Sequence, residues 1–190
     1  QLMKVINLFG GPGSGKSTTA AGLFYHMKLR GQSVDLVTEY AKELVWEGRL
    51  EDMLDKQEDI FVEQQRRIRR LRDNVDYAIV DSPLLLSYVY PKMNQVQKGV
   101  NDWPAIEEFL NFVVAVNNTY NNTNIFLNRP SKFEENGRDH DLEQSEAIDN
   151  AIKGALHELN EPFFTLPTNN MTVEMLLDMF RDNDPGFPSF

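Results

Sequence analysis

The chain has 190 residues, 41% hydrophobic and 25% charged, the balance of one soluble globular domain with room for a sizeable core. A formal charge of −10 argues against non-specific nucleic-acid binding over the whole surface, and the absence of cysteine excludes a disulfide frame and thiolate chemistry. With no apolar run of membrane-crossing length and no signal pattern at the N-terminus, the expectation is a single cytoplasmic domain over 1–190 with no membrane partner.

In chain order, MKVINLF (3–9) reads as a first strand, and TTAAGLFYHMKLR (18–30) as a helix closed by Gly31. SVDLV (33–37) is the second strand, followed by a helix through TEYAKELVWEG that stops near Gly48. Residues 50–73 carry Leu54, Phe61, Ile68 and Leu71 among many charges, which predicts one long amphipathic helix. DYAIVDSP (76–83) is the third strand, ending at Asp81 ahead of a helix in LLLSYVY. A helix over 103–120 has Asp102 as N-cap and Pro104 in its first turn. NTNIFLNRP (122–130) is the fourth strand, 131–141 a polar segment, 142–159 an amphipathic helix, PFFTLP (162–167) the last strand and 171–180 a terminal helix. This alternation predicts an α/β fold in which a parallel sheet of about five strands is covered by helices on both faces.

Between the first strand and its helix lies GGPGSGKST (10–18). Gly10, Gly15, Lys16 and Ser17 fit the template G-x-x-x-x-G-K-[ST]. Gly11 and Gly13 leave the loop without side chains, so its N–H groups can turn inward around a phosphate. Gly11, Pro12, Gly13, Ser14, Gly15, Lys16, Ser17 and Thr18 are therefore the expected nucleotide-binding set. Lys16 would reach the β- and γ-phosphates of ATP, and the Ser17 hydroxyl would ligate Mg²⁺.

Other candidates stand at the strand ends, where ligands of an open α/β sheet collect. Asp81 closes the apolar run YAIV and is the expected metal-side carboxylate, against the alternative of a helix cap. Glu39, after the second strand, is placed to take or orient the proton of an acceptor hydroxyl, or simply to sit favourably at a helix N-terminus. Arg129 and Arg138 flank a polar segment (129–141) that also holds Lys132 and Gly137, the composition of a lid over a transferring phosphoryl group or of a solvated loop. Gln57, Gln64 and Gln65 could read an acceptor's polar edge. Trp46, Phe61, Tyr88, Tyr90 and Trp103 could stack on a base, although core packing explains most such residues. QQRRIRRLR (64–72) crowds five arginines into one helix, either a local basic groove for DNA or a solvated face balanced by Glu58, Asp59 and Glu63.

GGPGSGKST (10–18), TEYAKEL (38–44), IVDSPLLL (79–86) and NRP…GRDHDLEQSEAID (128–149) together resemble the small P-loop kinases, and within them the ribosylnicotinamide-kinase-like ATPases of bacteriophages. The resemblance implies a three-layer P-loop NTPase fold of kinase-type strand order, with the Asp81 strand beside the loop strand. It also implies ATP-dependent transfer to a hydroxyl, with Lys16, Glu39, Arg129 and Arg138 as the catalytic set. The acceptor stays open between a free nucleoside or nucleotide and 5-hydroxymethyluracil in phage DNA, which would place the protein in the host cytoplasm. A regulatory ATPase without an acceptor is the third reading. No N-K-x-D signal for guanine is present.

Overall fold

The computed structural model describes residues 2–49, 56–98, 103–129 and 142–183. Five strands, β1 (Lys4–Phe9), β2 (Val34–Val37), β3 (Tyr77–Val80), β4 (Asn121–Asn128) and β5 (Phe163–Pro167), form one parallel sheet in the order β2-β3-β1-β4-β5. Around it run α1 (Lys16–Leu29), α2 (Tyr40–Trp46), α3 (Gln57–Arg69), α4 (Leu86–Lys98), α5 (Trp103–Asn117), α6 (Leu142–Glu158) and α7 (Thr172–Asn183). The strand that feeds the glycine loop lies at the centre, with the Asp81 strand on one side and the Arg129 strand on the other.

Strand periodicity makes the three layers. Along β1, Ile6 and Leu8 join Ile79, Ile125 and Leu127 in a core closed by Leu23 and Met27 of α1 and Leu176, Leu177 and Phe180 of α7. Val5 and Phe9 point the other way, with Ala78, Val80 and Phe126, into a core closed by Phe61, Ile68, Val89, Val113, Ile148 and Ile152 of α3, α4, α5 and α6. Asn7 falls between Val5 and Phe9 and is buried with them. Its amide donates to Asn122 and to Asn124, both at 3.0 Å; Asn124 in turn donates to the Pro162 carbonyl at 3.2 Å, and Asn122 to the Asn117 carbonyl at 2.8 Å. A chain of asparagines thus satisfies itself inside the sheet.

The helix stops follow the glycines. After α1, Gly31 takes φ 73°, its N–H donates to the Lys28 carbonyl and the Gln32 N–H to the Met27 carbonyl, each at 3.0 Å, which is the Schellman arrangement. Gly48 ends α2 in the same way. The helix expected over 50–73 is shorter. Residues 50–55 lie outside the described ones, and α3 ends at Arg69 because the chain turns through Asp73, at φ 62°, to bury Leu71 and enter β3. Among the described residues no helix is long and apolar enough to cross a membrane.

Candidate active site

The glycine loop sits at the carboxyl end of β1, held from two sides. Gly15 has φ 88°, and a Cβ there would lie 2.5 Å from Thr168 Cγ2, so both conformation and space demand glycine. Thr168, just past β5, donates its hydroxyl to the Ser14 carbonyl at 2.7 Å. Lys16 Nζ donates to the Gly10 carbonyl at 2.7 Å, which folds the ammonium back across the loop. No side chain caps α1, whose leading N–H groups, from Lys16 through Thr18, are left for an anion.

Ser17 and Asp81 meet beside the loop. The Ser17 hydroxyl donates to Asp81 Oδ2 at 2.6 Å, while Asp81 Oδ1 is buried with no hydrogen-bond partner. A hydroxyl and an orphaned carboxylate oxygen are hard ligands that fit Mg²⁺. Among the described residues no cluster of three or more histidines or acids is poised for a metal. An ion held here would therefore keep much of its water.

Glu39 enters the same site from the end of β2. It occupies the N-cap position of α2 but makes no side-chain capping bond. Burial raises its pKa above the usual 4.5, and the nearby Asp81 charge pushes it the same way, while Lys16 and Lys42 pull it down. That set of influences places Glu39 within electrostatic reach of both Lys16 and Asp81. Tyr90, on α4, lies within electrostatic reach of Glu39 and Asp149. Burial raises its phenol first, and the charges of Glu39 and Asp149 add to the effect.

Two supports aim Glu39, and both come from α3. Gln64 is 4% exposed, and its amide binds backbone on either side of Glu39: Nε2 donates to the Thr38 carbonyl and Oε1 accepts from Tyr40 N–H. Gln64 was a candidate to read an acceptor's edge; its amide is committed to the backbone instead. One turn on, Arg67 grips Glu43 of α2 through two bonds of 2.7 Å and lies 4.9 Å from the Tyr40 ring centroid.

Arg129 follows β4 and reaches the loop directly. Nη1 donates to the Pro12 carbonyl at 2.5 Å and Nη2 to Asp149 Oδ2 at 2.8 Å. Asp149 Oδ1 accepts from Gly11 N–H at 2.5 Å, so this N–H, expected to face a phosphate, is engaged by a carboxylate of α6. Arg138, with Lys132, Gly137 and the rest of the segment expected to form a lid, at 130–141, lies outside the described residues.

A family model described as an AAA domain matches residues 5–173. The chain belongs to this AAA domain family. No curated protein matches it in sequence. Among solved structures, this AAA domain is similar to deoxyadenosine kinase from M. mycoides. The structure with the products dCMP and a flexible dCDP gives a TM-score of 0.63 at 17% identity, over 94% of this chain and 99% of that one. The dCTP-bound structure gives 0.64 at 17% identity with the same coverage, and the dATP-bound structure 0.65 at 19% identity, over 93% and 99%. At these identities the likeness shows the fold, that of the P-loop NTPases.

The other sequence candidates sort by contact. In α3, Arg66 and Arg67 bind Glu63; in the turn after it, Arg72 donates to Thr119 Oγ1 and covers the Tyr120 ring at 4.2 Å. Of the balancing acids that the sequence offered, Glu58, Asp59 and Glu63, it is Glu63 that binds these arginines; Glu43 is one that it did not offer. Phe61 is core, Tyr88 binds Glu158 beside Lys92, and Trp46 is 73% exposed under Lys42. The side chain of Trp103 lies outside the described residues. Asp149 and Thr168 had no sequence signal beyond their positions, one in a group-level motif and the other just beyond the last strand.

Proposed function

We propose that this AAA domain is a kinase, transferring the γ-phosphoryl group of ATP to a hydroxyl of a nucleoside- or nucleotide-type acceptor with the help of Mg²⁺. The observation that carries this reading is Glu39, a carboxylate within electrostatic reach of both Lys16 and Asp81 whose flanking backbone is held by Gln64. A switch that only hydrolyses ATP would use the same acid on water, so transfer to an acceptor rather than release of phosphate separates the two readings.

In this reading Lys16 and the leading N–H groups of α1 hold the β- and γ-phosphates. Glu39 takes the proton of the acceptor hydroxyl as its oxygen bonds to the γ-phosphorus and the bond to the β–γ bridging oxygen breaks, leaving ADP. Mg²⁺, held by Ser17 and Asp81, would neutralise charge on the β- and γ-oxygens. Arg129, anchored at Pro12, and Arg138 from the lid segment are the cations assigned to the transferring group.

The coverage of this chain by the M. mycoides deoxyadenosine kinase fold supports a nucleoside-type acceptor. The partners found for Arg66 and Arg67 on α3, and for Arg72 in the turn after it, weaken the case for a DNA groove there. The test is γ-labelled ATP with Mg²⁺ and two acceptor sets: nucleosides and nucleotides including ribosylnicotinamide, and DNA with and without 5-hydroxymethyluracil. Label on a small molecule supports the proposal. Label on DNA replaces it with the base-modification reading, and label released only as phosphate with a regulatory ATPase.

A further inference from the structure

Asp149 lies on α6, 138 positions along the chain from Gly11, yet both of its oxygens act on the loop. One accepts from Gly11 N–H and the other from Arg129, whose second nitrogen closes a ring on the Pro12 carbonyl. One carboxylate and one guanidinium thus hold a donor and an acceptor from two successive loop residues. The pair is buried, its side chains 9% and 14% exposed. It is also tightly fitted, since a Cβ on Gly11 would lie 2.8 Å from Asp149 Oδ1 and 2.8 Å from the Ser145 carbonyl.

We propose that Asp149 and Arg129 form a clamp that sets the shape of the phosphate loop, with Asp149 a positioning residue for nucleoside triphosphate binding. The proposal rests on the nucleotide reading of the loop and adds to it a residue outside the motif. The planar fork of Arg129 delivers two bonds in fixed directions, which a lysine cannot do. An asparagine at 149 can still accept from Gly11, but it loses the charge that holds the guanidinium.

The test is titration of wild type, D149N, R129K and the double variant with a fluorescent, non-hydrolysable ATP analogue and Mg²⁺, at a temperature where circular dichroism shows each to be folded. Each single variant is expected to weaken binding by roughly tenfold or more. The double variant is expected to bind no more weakly than the worse single, because both break one ring. A merely structural pair would lower the melting temperature and leave this affinity unchanged. Wild-type affinity in the folded single variants overturns the clamp, as do losses that simply add in the double. If D149N does not fold, D149E takes its place, since it keeps the buried charges paired but displaces the carboxylate from Gly11. A wild-type chain that binds no analogue overturns the clamp and the nucleotide reading together.

Discussion

Gln64 holds the backbone on both sides of Glu39, donating to the Thr38 carbonyl at 3.3 Å and accepting from Tyr40 N–H at 3.1 Å. One planar amide therefore fixes the direction in which Glu39 leaves the junction of β2 and α2. Gln64→Leu keeps the volume and removes both bonds. The two backbone groups left without partners cost about 1–3 kcal/mol of stability. The loosened Glu39 lowers kcat by roughly tenfold or more while KM for ATP stays put. Urea denaturation beside steady-state kinetics checks both, and an unchanged kcat in the folded variant removes Gln64 from the placement of Glu39.

In the proposed mechanism Glu39 trades stability for chemistry. Burial raises its pKa in the folded chain, so the charged form is disfavoured there relative to the unfolded chain. Its stability contribution is greatest below the ordinary carboxylate value of 4.5 and falls as pH rises through the folded-state pKa. Glu39→Gln should therefore melt higher than wild type at neutral pH, with the gain gone near about pH 4. The same variant should lose on the order of 100-fold or more in transfer rate. In wild type the acid limb of the pH–rate profile should lie above 4.5, and it should vanish from the residual rate of the variant.

Asp81 presents one oxygen to Ser17 and leaves the other buried without a partner. Asp81→Asn should raise the Mg²⁺ concentration needed for half-maximal transfer by about 10–100-fold, and chelation should stop wild-type transfer until Mg²⁺ is restored. An activation curve that Asp81→Asn leaves in place would move the metal elsewhere.

Acid sensitivity has a separate source. Hydrogen bonds from Arg66 and then Arg67 hold the Glu63 carboxyl down to about 2. The stabilisation is present above 4.5 and is lost as pH falls toward about 2. Glu63→Gln should flatten the acid-unfolding curve across that window, and a curve as steep as wild type would show that the arginines contribute little there.

Much of this fold is legible in the sequence because its signals are local. Alternation along KVINLF separates the two cores, Gly31 and Gly48 end their helices, and Asp81 stands where an apolar run stops. What the sequence conceals acts at a distance through backbone groups. Asp149 meets Gly11 across 138 positions and Gln64 meets Thr38 across 26, and neither partner contributes a side chain that a pattern could register. The α3 boundary was missed for a related reason, since Leu71 keeps the helical spacing but is buried from a turn.

The asparagines between β1 and β4 act as a register lock. Apolar side chains would tolerate a sideways shift, but Asn7 must find Asn122 and Asn124 to satisfy its buried amide. A slip by one residue would turn every β4 side chain to the wrong face. A slip by two would restore the faces yet carry Arg129 about 7 Å along the strand, away from Pro12. Directional bonds between these two strands thereby determine, several residues later, where an arginine meets the glycine loop.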